Sequence, residues 1–115
     1  MALISSHTLN GTDGTHAGGI AVRLTRMGDE TPLFSTRMDD GGRLSQEVDL
    51  SAADQNTIYE LTFQTAPYWA ARGLPQGDER IIGEIVLRFS MPDPGGKYHM
   101  PVILNPNSYS TWASS

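Results

Sequence analysis

KYHMPVILNPNSYSTWASS, from Lys97 to Ser115, is the stretch that decides how the rest of the chain is read. Val102, Ile103 and Leu104 form a short apolar run of strong β character. Asn105-Pro106-Asn107-Ser108, a run of turn formers, closes it. Tyr109 to Trp112 supplies a second short strand. The stretch therefore predicts a β-hairpin with His99 at its entrance and the C-terminal carboxylate at its exit. A chain end built as a strand is expected to be tied into a sheet. His99, two residues before Pro101 in a segment that has to pack, is the first place to look for chemistry.

Working back from the hairpin, Pro92-Asp93-Pro94-Gly95-Gly96 reads as a rigid turn, and Ile81 to Phe89 as the longest strand. Pro75 to Glu79 reads as a polar loop. Ala66 to Gly73, with Pro near its start and Gly at its end, predicts a short helix. Ile58 to Phe63 alternates as a strand, and Leu50 to Asp54 suggests one helical turn capped by Ser51. Asp39-Asp40-Gly41-Gly42 reads as a hairpin turn, opening a strand from Arg43 to Val48. A further strand lies near Pro32 to Met38. Ile20 to Arg26 is the clearest alternating segment, with Ile20, Val22 and Leu24 on one face and Arg23 opposite. Ala2 to Leu9 is the first strand, with Ser5, His7 and Leu9 sharing a face. Seven or eight short strands, turn signals between them and one short helix predict an all-β antiparallel sandwich.

The chain has 115 residues, which fits a single domain spanning 1–115, with no internal repeat or long linker. A net charge of −5 argues against nucleic acid as a partner, because phosphate binding needs a basic surface. Lys97 is the only lysine among eight cationic side chains. Arginine suits planar recognition of carboxylates and carbonyls, and equally an ordinary surface. Without cysteine there is no disulfide framework, thiol nucleophile or thiolate metal site. The first residues, MALISSHTL, lack a basic region and a long apolar run, so no signal peptide is expected. Nothing approaches the roughly 18 apolar residues of a membrane helix. A cytoplasmic protein without a membrane partner is expected.

Of the three histidines, no pair has the helical spacing of a zinc enzyme. His16, in a Gly-rich turn, reads as a solvated loop residue. His7 and His99 fall in strands near sheet ends, where a structural histidine and a catalytic one are both open readings. Arg43 alone is an ordinary residue after a turn. No GxSxG elbow, P-loop or GxGxxG element is present.

Several segments, taken in order, match a known pattern. Ser6-His7-Thr8-Leu9-Asn10 resembles S-x-H-x-L-[DN], and Gly19-Ile20-Ala21-Val22-Arg23-Leu24 resembles G-V-x-V-x-L. Asp40-Gly41-Gly42-Arg43-Leu44 is similar to D-G-R-[LIV] with one extra Gly. Tyr98-His99-Met100-Pro101-Val102-Ile103-Leu104 resembles Y-H-V-P-L-L-L, and Pro106 to Thr111 resembles P-x-G-Y-S-T. From end to end the chain resembles the transthyretin-related 5-hydroxyisourate hydrolases. The resemblance implies a transthyretin-like sandwich and a homotetramer built as a dimer of dimers, with active sites in the channel between dimers. It further implies hydrolysis of a cyclic ureide from urate oxidation, without metal or cofactor, with His7, Arg43 and His99 as the catalytic residues.

The departures from the pattern are informative too. The family ends in Y-R-G-S, where this chain has Trp112-Ala113-Ser114-Ser115. Trp112 lacks the phenol oxygen, Ala113 lacks the guanidinium, and Ser115 alone is retained. These four are the expected substrate-binding residues. Lys97 replaces the first His of H-Y-H, and Ile81-Ile82-Gly83-Glu84 replaces a compact F-F-P-E. A less polar pocket edge is compatible with N-methylated 5-hydroxyisourates from methylxanthines. It is equally compatible with ordinary 5-hydroxyisourate, Trp112 and Ala113 then being packing changes. A non-catalytic transthyretin-like small-ligand binder is the alternative from another class.

Overall fold

The computed structural model describes residues 1–50, 56–73 and 80–115. Nine strands and one helix run in the order β1 (Ala2–Asn10), β2 (Ala21–Arg26), β3 (Phe34–Arg37), β4 (Arg43–Val48), β5 (Ile58–Gln64), α1 (Ala66–Arg72), β6 (Glu84–Ser90), β7 (Lys97–His99), β8 (Val102–Asn105) and β9 (Ser108–Thr111). They form two sheets. One has the order β4-β1-β8-β9, with β7 also on β1; the other is β3-β2-β5-β6. The expected helical turn at Leu50–Asp54 and the loop at Pro75–Glu79 lie largely outside the described residues.

Alternation explains the layering. On β1, Ala2, Ile4, Ser6, Thr8 and Asn10 are buried while every second residue between them is only half-buried. Val22 and Leu24 of β2 and Tyr59, Leu61 and Phe63 of β5 meet that face from the second sheet. The buried polar groups of β1 act as fasteners. Ser6 Oγ donates to the Met100 carbonyl at 2.7 Å, Thr8 Oγ1 to the Ala17 carbonyl at 2.7 Å, and Asn10 Nδ2 to the Tyr68 hydroxyl at 3.0 Å. Each bond satisfies a group whose burial would otherwise be costly. Tyr68 and Trp69 are the buried residues of α1, and Gly73 ends that helix with φ of 67° in the left-handed region.

The sandwich departs from the simplest sequence reading in four places. First, the pairing is not wholly antiparallel: β1 runs parallel to β7 and to β8. Ser5 pairs with His99 and Thr8 with Val102, so β7 and β8 form one line in unbroken register. Pro101, which has no N–H to donate, interrupts it opposite His7. Second, Asp39–Gly42 closes locally as a tight turn, with Gly42 N–H donating to the Asp39 carbonyl at 2.9 Å and Asp39 N–H to the Arg43 carbonyl at 3.0 Å, but the strands it joins do not pair with each other. It is a corner between sheets, because β3 pairs only with β2 and β4 only with β1. The corner also bonds to β1: the Gly42 carbonyl accepts from the Thr8 N–H at 2.7 Å. Third, β6 begins at Glu84 and not at Ile81, leaving β1 as the longest strand. The Ile81 and Ile82 N–H groups donate to Asn107 Oδ1 at 2.6 and 3.3 Å, so they are unavailable to a ladder. Fourth, β9 ends at Thr111, one residue short of Trp112.

The C-terminal hairpin forms as the sequence predicts. Asn105 pairs with Ser108 around a two-residue turn, and Val102 pairs with Thr111. No helix among the described residues is long and apolar enough to cross a membrane.

Candidate active site

The spine of the site is the outward side of β1. Its antiparallel register on β4 sets His7 opposite Arg43 and Ser5 opposite Ser45. Its parallel register on β7 sets Ser5 opposite His99. The β8–β9 register carries on past Pro101 without a slip, to a bridge between His99 and Ser114. Two adjacent rows therefore cross this face of the sheet. One reads Arg43, His7, Pro101, Trp112; the other reads Ser45, Ser5, His99, Ser114. Residues directly opposite one another project to the same side, so five of the residues singled out from sequence share one face.

Local structure explains each placement. Arg43 is delivered by the corner: Asp39 Oδ1 accepts its N–H at 2.8 Å, and Gly42 N–H donates to the Asp39 carbonyl at 2.9 Å. Gly42 has φ of 73°, and a Cβ there would lie 2.4 Å from the Thr8 carbonyl oxygen. Only glycine fits so close to β1 in that conformation. Gly42 is thus the residue of the Asp40-Gly41-Gly42 turn that lets the corner reach the strand carrying His7. His99 and Ser114 exchange both backbone hydrogen bonds, His99 N–H to Ser114 O at 2.9 Å and Ser114 N–H to His99 O at 3.0 Å. That pair fastens the chain end beside the histidine. Thr111 Oγ1, donating to the Pro101 carbonyl at 2.8 Å, holds the strand across the proline gap.

The imidazoles are engaged on one side each. His99 Nδ1 shares a hydrogen bond of 2.7 Å with Ser5 Oγ. His7 Nε2 lies 3.1 Å from the Gly41 carbonyl oxygen and 2.9 Å from His16 Nδ1. Partial burial, the most important cause, pushes the His7 pKa below the usual imidazole value. The positive charge of Arg43 and the imidazoles of His16 and His99 add to the effect, while the Gly41 carbonyl opposes it. His7 is therefore neutral at neutral pH. Among the described residues, the Arg43 guanidinium makes no hydrogen bond or ion pair, while its main-chain N–H and carbonyl are both committed to Asp39.

Alanine 113 and Ser115 are placed differently. Ala113, opposite Met100 in the same register, falls on the inward side. With Trp112, Thr111, Met100 and residues Val86 to Arg88 of β6 it lines a cavity of about 240 Å³ at the edge of the sandwich. Trp112 is 51% exposed. Ser115 is exposed beyond the last bridge.

Two residues of this face were not singled out from sequence. His16 reads as a solvated loop residue, yet its ring stacks on His7 with centroids 5.0 Å apart. Ser5 shows only as an alternating strand residue. Neither carries a sequence signal of its own: Ser5 gains meaning from strand pairing with distant His99, and His16 from a loop that folds back onto Leu9. Among the described residues no group of three or more His, Cys, Asp or Glu is arranged to hold a metal ion.

Two imidazoles, a guanidinium and serine hydroxyls thus share one open sheet face of a β-sandwich. The HIUase/Transthyretin family profile matches residues 4–113, and the chain belongs to that family. It is 30% identical over 117 residues to a 5-hydroxyisourate hydrolase of Pseudomonas aeruginosa, covering 100% of this chain and 93% of the relative. Among solved structures, a 5-hydroxyisourate hydrolase of Klebsiella pneumoniae superposes with a TM-score of 0.76 at 28% identity, with both chains covered at 100%. An (S)-allantoin synthase superposes with a TM-score of 0.82 at 26% identity. There 99% of this chain spans 44% of the larger one.

Proposed function

We propose that residues 1–115 form a single transthyretin-like domain that hydrolyses 5-hydroxyisourate, or a close N-methylated analogue, in purine and urate breakdown. The observation that carries this reading is the convergence of His7, Arg43 and His99 in two neighbouring rows of one sheet face. The names of the relatives in the same family support the substrate class.

In this reading the chemistry belongs to the side chains. His99, braced at Nδ1 by Ser5, takes a proton from water as the water oxygen attacks a ring carbonyl carbon. The carbonyl electron pair moves onto oxygen, and the free guanidinium of Arg43 stabilises the oxyanion. As the tetrahedral intermediate collapses, the ring C–N bond breaks and the imidazolium returns its proton to the departing nitrogen. Neutral His7 orients the ring by hydrogen bonding. Ser114 and Ser115 offer polar contacts at the rim, and Trp112 provides an apolar edge that suits methyl groups in place of N–H donors, whereas Ala113 faces the inward side of the sheet. The proposal includes a homotetramer that closes this face, a cytoplasmic location, and no need for a metal or cofactor.

The test is to generate 5-hydroxyisourate and its trimethyl analogue in situ and follow their ultraviolet decay with and without protein. Faster decay of the methylated ring alone ties Trp112 to substrate choice. Faster decay of the unmethylated ring makes the Trp112 and Ala113 replacements packing changes in a urate-pathway enzyme. Acceleration of neither overturns the hydrolase reading and leaves a ligand-binding member of the family. Loss of activity on chelation would overturn the metal-free chemistry.

A further inference from the structure

We propose that His16 is a positioning residue for His7, holding it in the tautomer that keeps Nδ1 free as a base and hydrogen-bond acceptor. The argument begins with the Gly41 carbonyl, which can only accept. It lies 3.1 Å from His7 Nε2, so that nitrogen carries the proton. The same nitrogen lies 2.9 Å from His16 Nδ1, which is then a second acceptor for its proton and carries none itself. The two acceptors share one donor, and the His7 lone pair is left on Nδ1. Stacking of the rings, tilted by 29°, fixes the orientation of His7 about its side-chain bonds. A protonated Nδ1 on His16 would face the Nε2–H of His7 and break the arrangement.

The placement of His16 is built by the fold. Asn10 Oδ1 accepts from the N–H groups of Thr12 and Asp13 at 2.8 and 3.2 Å, and the Asn10 N–H donates to the Thr15 carbonyl at 2.7 Å. Ala17 N–H donates to the Thr8 carbonyl at 2.9 Å, while its own carbonyl accepts from Thr8 Oγ1. His16 is thereby bridged to Leu9 in antiparallel fashion, and opposite residues share a side, which here is the side of His7. The other ionisable groups facing the pair are Arg43 from β4 and His99 from β7. The Arg43 guanidinium can only donate, and the hydrogen bond of His99 lies between Nδ1 and Ser5 Oγ and does not involve His7.

The kinetic consequence rests on the proposed hydrolase reading; the tautomer does not. The intact protein is labelled with ¹⁵N at histidine, and long-range proton–nitrogen correlation reads the His7 tautomer at neutral pH without substrate. The wild type is expected in the Nε2–H form, His16→Ala as a mixture with the Nδ1–H form, and His16→Asn restored, because its Oδ1 takes the place of Nδ1. Hydrolysis by His16→Ala is expected to fall about fivefold in kcat with KM little changed, the size of one lost neutral hydrogen bond, and to recover in His16→Asn. A wild-type Nδ1–H tautomer, or a His7 spectrum unmoved by His16→Ala, overturns the proposal. So does a His16→Asn variant that behaves like His16→Ala. Absence of turnover in every variant would count against the hydrolase reading, and the tautomer comparison would still decide the role of His16.

Discussion

The outward faces of the two sheets treat their charged and polar groups in opposite ways. On β5 and β6, charges are closed across the strands. Arg88 Nε meets Glu60 Oε2 at 2.9 Å, and Gln64 Nε2 donates to Glu84 Oε2 at 2.9 Å. On the face of β4, β1 and β7, Arg43 stands beside two imidazoles with its guanidinium free, and positive potential accumulates near His7. A face that neutralises itself is a solvated exterior. A face that holds donors and bases apart from partners stores capacity for a ligand, which is how sites differ from surfaces. The difference lies in which strands bring which residues opposite one another: all three histidines gather on the β1 side, while Glu60 and Glu84 find partners across β5 and β6.

The comparison is broken most severely by removing the groups of the open face. His99→Ala is expected to lower kcat by about 10² to 10⁴, the range for losing a general base, and Arg43→Ala by about 10² to 10³. Both are read from the ultraviolet decay of in situ 5-hydroxyisourate, and unchanged rates would remove the site from this face. Next comes the corner that supports it. Gly42→Ala combines a left-handed φ with a close approach to the Thr8 carbonyl, and should cost about 2–3 kcal/mol in urea denaturation. A wild-type midpoint would mean that the corner relaxes freely.

Smaller effects sharpen the contrast. Trp112→Tyr should shift the ratio of kcat/KM values toward the unmethylated ring by about tenfold, because a polar group at the rim discriminates against methyl substituents. On the closed face, Arg88→Ala should leave kcat unchanged and lower stability by less than about 1 kcal/mol, as exposed pairs do. The smallest effect concerns pH. The His7 pKa is lower in the folded chain than in the unfolded one, so the unfolded chain takes up the proton first as pH falls. The stability contributed by neutral His7 is complete above about pH 6.5 and is lost as pH falls through the folded value. Denaturation midpoints measured across that window should flatten in His7→Gln, and an unchanged slope would contradict the assigned shift.

Local pattern was enough to read most strands. Alternation at Ile20–Leu24, the turn at Pro106-Asn107 and the Pro-to-Gly span of the short helix depend on neighbours within a few residues. The sequence also carried His7, Arg43 and His99, but only through their place in a familiar order of segments. On spacing alone each had an ordinary structural reading.

What the sequence determined by itself was an all-β chain with a terminal hairpin and three chemically apt residues, because hydrophobic period and turn chemistry are local properties. Pairing partners were decided only in three dimensions. The corner at Asp39–Gly42 joins two sheets, β7 and β8 run parallel to β1, and His16 lies against His7. Each depends on which distant backbone groups satisfy one another once the core has closed, and turn residues alone do not encode that choice.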